Sequence, residues 1–468
     1  MHSRNVYTSL LDFEVLARSY PPLSQQFVVH TPIYFYHAPD LQLPSVSAVA
    51  PSTSTMTLHR GPCLTQALLK RDFGLELQLP KDRLCPPVPN RLNYVLWIQD
   101  IVTELQRTLP IVFRGRTTCT VRGLDIGTGA SAIYPLLACS LEPTWMFSAT
   151  ELDDLSYAHA QRNIRANRLS DRIYVVRVEA DTNEDGPHTP TTKDEIEIQF
   201  TMCNPPFYSS AAEITDSEAR KERSPFGVCT GAPVEMITPG GEVHFVSAMV
   251  PDKQPTTSSR KFSYLGPRWY TSMLGQMGSV VEVVRVFKEL GITNYAITEF
   301  VQGQTRRWAV GWCVDGWRLS DVDPCALHIS ILLIPVQNIA RIANPNPTLQ
   351  RLLPPRNTLK FDIVMGENDA LGCLEKVLRS VEDATFTPDD GANPEGSLSS
   401  YVVSVTCDTW SRGARRKRKR QQEKAANGNV VNRNRIQMDV QWLYGKERSL
   451  FESFASHVAR KLNSDDGG

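Results

Sequence analysis

From residue 119 the chain alternates β-rich runs with helix-length amphipathic runs, and this rhythm constrains the fold more than any other feature. "CTVRGLDIG" reads as a strand, "ASAIYPLLACSL" as a helix, "WMFSATEL" as a strand, "LSYAHAQRNIRANRL" as a helix and "RIYVVRVEA" as a strand. After the loop "DGPHTPTTKD" come the strand "EIEIQFTMC", the strand "WYTSML", the helix "VVEVVRVFKELG" and the strands "NYAITEF" and "RRWAVGWCV". Strands separated by helices join a sheet through crossovers rather than hairpins, so a mostly parallel α/β sheet follows, with the final pair as an antiparallel addition.

The rhythm also marks boundaries. Residues 1–36 read as an amphipathic N-terminal arm, and 37–60, rich in Pro, Ser and Thr, as a flexible insertion. Leu64, Ala67, Leu68 and Phe73 recur at helical spacing in "CLTQALLKRDFGLEL", as do Tyr94, Ile98, Ile101 and Leu105 in "RLNYVLWIQDIVTEL". The α/β domain is expected over 61–320. From 321 to 468 the runs "LKFDIVM", "LGCLEKVLRSVEDA", "YVVSVTCDTW", "RIQMDVQWLYG" and "LFESFASHVARKL" predict a small accessory α+β module with a basic, disordered loop over 411–430.

Composition mostly excludes. Lys+Arg and Asp+Glu both number 50, so overall charge names no partner and any nucleic-acid signal must be local. Ten cysteines without a CxxC pair argue against a zinc site and against a disulfide framework, and favour a reducing compartment. The first residues lack a signal-peptide apolar run, and the longest apolar stretch, "ALHISILLIPV", is too short to span a bilayer. A soluble, intracellular protein without a metal is expected.

Two strand ends carry the chemistry. "GLDIGTGAS" places Asp125, Gly127, Gly129 and Ser131 where the first strand meets its helix, the point at which ligands meet α/β sheets. A carboxylate before the glycines suits a ligand bearing an amino acid's ammonium better than a pyrophosphate. Glu151 closes the second strand, where an acid can accept both hydroxyls of a ribose. Alone, DxGxG could be a tight turn and Glu151 a surface acid; occurring on successive strands, they favour a binding site.

"FTMCNPPFYSS" ends the fourth strand with Asn204, Pro205, Pro206 and Phe207. Asn204 offers a carboxamide oxygen as an acceptor. Pro205 keeps its carbonyl, and the double proline restricts the backbone that aims it. Two acceptors converging on an NH2 group beside a stacking ring describe a site for a planar amine, whose lone pair would then face an electrophilic methyl. The motif does not separate adenine, cytosine or glutamine amides.

Longer stretches do. "LTQALLKRDFGLELQLPKDRLCPPVPNRLNYVLWIQDI", "GLDIGTGASAIYPLLACSL", "TELDD", "NIRANRLSDRIYVVRV", "MCNPPF", "GGEVHFV", "RWYTSMLG" and "TEFVQGQTRRWAVGW" together resemble the eukaryotic U6 small nuclear RNA adenine-N6 methyltransferases. That methyltransferase-like family is related to the bacterial 23S ribosomal RNA adenine methyltransferases. The resemblance implies a Rossmann-like class I domain with an N-terminal helical extension, using S-adenosylmethionine. It implies that Arg91 binds the methionine carboxylate, that Gly127 and Ser131 line the cofactor, and that Glu151 holds its ribose. Thr182 matches a further cofactor contact, and Asn204 closes the site. Phe207 matches the ring that stacks on the target adenine, and Tyr208 replaces a second Phe. Asp181 stands where animal members carry a lysine able to occlude the cofactor pocket.

The family acts on structured RNA, which calls for cations. Arg4, Lys70, Arg71, Arg306 and Arg307 are candidate phosphate contacts, and Arg220, Lys221 and Arg223 keep the basic character of the arm after the motif. The run Arg415, Arg416, Lys417, Arg418, Lys419 and Arg420 reads as a nuclear localisation signal or an RNA tether. The expected function is therefore nuclear N6 methylation of an adenosine in the ACAGAGA segment of U6 RNA. Ribosomal RNA is the alternative, and protein glutamine a more distant one.

Overall fold

The computed structural model describes residues 1–8, 12–24, 54–112, 120–179, 198–219, 231–250, 268–302, 305–321, 339, 341, 347–366, 370–381, 384–388, 401–405 and 433–464. They divide into two compact units. One comprises Met1–Thr103, Thr118–Val314 and Ile339–Pro354; the other comprises Glu104–Thr117, Asp315–Asn338 and Pro355–Gly468.

The first unit opens with short helices α1 (Phe13–Ser19) and α2 (Pro21–Ser24), then α3 (Ser54–Phe73) and the long α4 (Val88–Val112). α3 starts at Ser54, so the end of the segment read as an insertion is helical; 37–53 lie outside the described residues. The N-terminus is fastened to α4 by polar groups. The His2 N–H and the Asn5 side-chain amide both donate to Asn93 Oδ1, at 2.9 and 2.8 Å.

The strands are β1 (Arg122–Ile126), β2 (Met146–Glu151), β3 (Ile173–Arg177), β4 (Phe200–Cys203), β5 (Tyr270–Leu274), β6 (Tyr295–Gln302) and β7 (Thr305–Trp312). Between them lie α5 (Ile133–Leu141), α6 (Asp154–Ala166), α7 (Ala211–Ala219), α8 (Pro233–Met236), α9 (Gly241–Ala248) and α10 (Met277–Glu289). β3, β2, β1 and β4 pair in that order, all parallel. β7 lies between β5 and β6 and runs antiparallel to both. The expected antiparallel addition is therefore β7 itself, inserted between two strands that run the same way.

A seam joins the two halves. Trp269 N–H donates to Gln199 O (3.1 Å) and Thr201 N–H to Trp269 O (2.9 Å), a parallel bridge at Phe200 and Trp269. Beyond it the ladder passes through side chains. Thr271 N–H donates to Thr201 Oγ1 at 2.9 Å, and the Thr271 hydroxyl donates to Thr201 O at 2.5 Å. The sheet order becomes β3-β2-β1-β4-β5-β7-β6. The chain moves outward from β1 to β3, then returns to β4 on the other side of β1. That reversal opens a crevice at the C-terminal ends of β1 and β4.

Packing explains the pattern of small and large residues. Val280, Val283, Val284 and Phe287 place one face of α10 against the sheet, all fully buried. Gly123 in β1 leaves room for aromatic neighbours: a Cβ there would lie 2.6 Å from the Phe200 ring and 2.7 Å from Phe147. α11 (Pro347–Leu352) closes this core, with Tyr295 donating its hydroxyl to Leu352 O at 2.8 Å.

In the second unit β8 (Thr358–Gly366) pairs antiparallel with β11 (Arg433–Gln441), and β9 (Ala384–Pro388) with β10 (Tyr401–Val405). Helices α12 (Ala370–Arg379) and α13 (Arg448–Ser464) supply Val377, Leu378, Val458 and Leu462 to a core with Ile363. β9 is not evident in the sequence pattern, because "ATFTP" is short and flanked by loop-forming residues. No helix among the described residues is long and apolar enough to cross a membrane.

Candidate active site

The glycine turn follows β1 directly. Gly127 and Gly129 adopt φ of +70° and +66°, the left-handed region that side chains disfavour. The turn is clamped to β2: Thr128 N–H donates to Thr150 O (2.8 Å) and Gly129 N–H to Glu151 Oε2 (2.7 Å). Ser131 lies just beyond and is buried.

Asp125, the strand residue before the turn, is fully buried, and neither of its carboxylate oxygens has a hydrogen-bond partner. Burial pushes its carboxyl up to about 7; the adjacent Thr128 hydroxyl, which falls short of hydrogen-bond geometry, and the Arg91 charge oppose this, while the Glu151 charge adds to it. An unpaired buried acid is costly unless something else satisfies it.

Glu151 is also buried, and burial raises its carboxyl. Oε1 accepts the N–H groups of Leu152 and Asp153, both at 2.9 Å, and Oε2 accepts that of Gly129. These bonds fix the carboxylate at the end of β2. Asp153 caps α6 through Ser156 N–H (2.8 Å) and accepts from Arg83 Nη2 (2.8 Å), which ties the loop before α4 to the same strand end.

Arg91 enters from the first turn of α4 and is 7% exposed. Its Nη1 donates to the Tyr134 hydroxyl at 2.7 Å, while its Nε is buried without a partner. Arg91 Nη1 also lies 3.7 Å from Met273 Sδ, which sets the guanidinium between α5 and β5.

At the end of β4, Asn204 Oδ1 is buried and unpartnered. Pro205 is buried; Asn204, Pro206, Phe207 and Tyr208 are half-buried. The backbone after the motif is held by segment 236–238: Tyr208 N–H donates to Met236 O (3.0 Å) and Thr238 N–H to Tyr208 O (2.9 Å). The Arg307 guanidinium lies 5.5 Å from the centre of the Phe207 ring, so β7 brings one candidate RNA contact to the aromatic residue of the motif.

Other candidate cations are placed differently. Arg4 donates to Gln99 Oε1 (2.9 Å), Leu96 O (3.1 Å) and Asp100 Oδ1 (2.5 Å), which anchors the N-terminal arm on α4. Arg306 pairs with Glu299 at 3.0 Å, Lys70 with Glu76 at 2.7 Å and Arg71 with Asp72 at 2.6 Å. Thr182 and Asp181, the arm residues Arg220, Lys221 and Arg223, and the run Arg415–Arg420 lie outside the described residues.

Sequence reasoning missed Tyr94, Tyr134, Glu235 and Glu242. Tyr94 looked like a core residue at helical spacing. Tyr134 sits inside an apolar helix, and its burial raises its hydroxyl to about 12. Glu235 accepts Leu84 N–H and Ala232 N–H, both at 2.9 Å, and its other oxygen faces Gly129. Nothing in the spacing of these residues signals the site.

The reversal at β1 and β4, the clamped glycine turn and the unpaired Asp125, Arg91 Nε and Asn204 Oδ1 fit a ligand carrying an ammonium and a carboxylate beside a methyl acceptor. Together with the antiparallel β7, they define a Rossmann-like class I S-adenosylmethionine-dependent methyltransferase. An RNA methyltransferase family profile matches residues 1–315. The chain belongs to that RNA methyltransferase family. It is 32% identical to the U6 small nuclear RNA (adenine-(43)-N(6))-methyltransferase of Schizosaccharomyces pombe, over 86% of this chain and 93% of the relative. To the human RNA N(6)-adenosine-methyltransferase METTL16 it is 36% identical over 67% of its own length, and it spans about half of that relative. The crystal structure of the hMettl16 catalytic domain in complex with a MAT2A 3'UTR hairpin matches with a TM-score of 0.52 at 33% identity. The match covers 67% of this chain and 95% of that domain.

Proposed function

We propose that this chain transfers a methyl group from S-adenosylmethionine to the exocyclic N6 amine of an adenosine in the ACAGAGA segment of U6 small nuclear RNA. The observation that carries the reading is the buried, unpartnered Asn204 Oδ1 at the tip of β4. A carboxamide oxygen withheld from water and from the protein is an acceptor kept for a donor that arrives with substrate.

S-adenosylmethionine, when bound, supplies an electrophilic methyl group. Arg91 would take its carboxylate through Nε, Asp125 its ammonium and Glu151 its ribose hydroxyls, with Gly127, Gly129, Ser131 and Thr182 completing the contacts. Asn204 Oδ1 and the Pro205 carbonyl accept the two N–H bonds of the adenine amine, which aims the nitrogen lone pair at the methyl. Pro206 keeps that carbonyl in place, and Phe207 stacks on the base. Positioning and electrostatics then carry the transfer without a general base: the amine nitrogen bonds the methyl as the methyl–sulfur bond breaks, and the methylated amine then releases its extra proton to solvent. The adenine must leave its stack to enter, which an unpaired or bulged RNA makes easier.

The substrate reading rests on the fission yeast relative, which this chain matches over nearly its whole length. An RNA-processing role follows from the family, and a nuclear location is inferred from the U6 substrate and the basic run Arg415–Arg420. The N-terminal arm (1–36), Tyr208, Arg220, Lys221, Arg223, Arg306, Arg307 and the module at 321–468 are assigned to RNA.

Transfer of labelled methyl from S-adenosylmethionine to a U6 hairpin, compared with a ribosomal RNA fragment and a glutamine-bearing protein, tests the reading. Label in the U6 hairpin alone is expected. Label only in ribosomal RNA or only in protein would replace the substrate assignment.

A further inference from the structure

A Cβ built on Gly275 would lie 3.0 Å from Phe207 Cγ and 3.2 Å from each Cδ. The bare backbone of Gly275 therefore lies directly against the Phe207 ring. Gly275 follows β5, the strand whose end adjoins β4, and any side chain there would push the ring away.

The turn that presents Gly275 is held by a remote carboxylate. Glu242 Oε2 accepts the Gly275 N–H at 2.6 Å, and Oε1 accepts the Gln276 N–H at 3.1 Å. Glu242 is 2% exposed and lies in the first turn of α9. Its neighbour Gly241 (φ +64°) meets the motif backbone itself, since a Cβ there would lie 3.5 Å from Phe207 O and 3.6 Å from Ser209 N. One dipeptide thus touches the backbone that carries the ring and holds the surface on which the ring lies. Burial raises the Glu242 carboxyl, while the two amides and the nearby Arg307 charge favour its ionised form.

We propose that Glu242 and Gly275 are positioning residues that set the depth of the base pocket. Glu242 fixes the β5–α10 turn, and Gly275 fixes the plane and height of Phe207 for the extruded adenine. The inference rests on the reading of Phe207 as the stacking ring. In-line transfer tolerates little error, and a shift of about 1 Å at a positioning group can cost roughly a hundredfold in rate.

The test uses the full chain with the U6 hairpin, comparing Gly275→Ala and Glu242→Gln in the parent and in a Phe207→Ala background. In the parent, Gly275→Ala moves the ring by a few tenths of an ångström and is expected to lower the single-turnover rate about three- to tenfold, with calorimetric affinity for S-adenosylmethionine unchanged. In the Phe207→Ala background, which lacks the Cγ and Cδ atoms that the new methyl would meet, the same change should cost less than about twofold. Glu242→Gln keeps one acceptor and should show the same background dependence at smaller size, so it carries the test if Gly275→Ala fails to fold. Equal losses in both backgrounds, or a loss of cofactor affinity matching the loss in rate, overturn the proposal. Phe207→Ala with the parental rate would instead sink the stacking assignment itself.

Discussion

The Tyr94 hydroxyl lies 2.6 Å from Thr271 Oγ1, wedged between the ends of β4 and β5. Thr271 uses its own proton on Thr201 O, so Tyr94 donates to Thr271 and accepts the Cys203 N–H at 3.3 Å. The relay runs from Cys203 through Tyr94 and Thr271 to Thr201, and it replaces ladder bonds where the two strands part. Asn204 is the next residue. The side chain that fills this split therefore also holds the start of the acceptor motif.

Tyr94→Phe should cost about 1–3 kcal/mol, because it leaves the Cys203 N–H buried without a partner. Urea denaturation measures the loss. A variant as stable as the parent would show that water takes the place of the hydroxyl.

Asn204→Ala should lower the rate of transfer by about 10²–10³, on the scale seen when one preorganised hydrogen-bonding group is removed from a reacting centre. Its melting temperature should stay near that of the parent, since Oδ1 has no partner in the protein to lose. Single-turnover assays and thermal melts together decide it. Transfer at the parental rate would remove Asn204 from the chemistry.

Cofactor binding should depend on Asp125, which must be ionised to receive an ammonium, yet burial holds its carboxyl at about 7 in the free protein. Below about pH 7, affinity should fall by up to about tenfold per pH unit, and Asp125→Asn should remove that dependence along with most of the affinity. The stability of the free protein runs the other way. A carboxyl raised in the folded state contributes its stabilisation fully below the ordinary carboxylate range and loses it as pH rises to about 7. Calorimetric titrations at several pH values, with pH-dependent melts, read both effects.

Gly123→Ala should destabilise the first unit by about 1–3 kcal/mol, because its methyl enters the space of the Phe200 and Phe147 rings. A lowered midpoint with unchanged cofactor affinity per folded molecule is the expected result.

Replacing Arg415–Arg420 with alanine should weaken binding to the U6 hairpin and flatten the dependence of log affinity on log salt. The slope should fall by about 0.7–0.9 for each RNA phosphate that the variant leaves unneutralised. An unchanged slope, measured by fluorescence anisotropy, would leave these cations to nuclear import.

Much of this molecule was legible in local patterns. The strand–helix alternation, the turn at Gly127 and Gly129 and the abrupt end of β4 at Pro205 and Pro206 follow from backbone preference and hydrophobic periodicity, which act over a few residues. The tertiary structure decided what depends on neighbours distant in the chain. It placed β7 between β5 and β6, which brings Arg307 to Phe207, and it set the bare backbone of Gly275 against that ring. It also turned Arg4 toward Gln99 and Asp100, a pairing that a lone arginine in a polar stretch does not announce. Spacing can show that Asp125 ends a strand. Only the packing of distant elements shows that its carboxyl is fully buried.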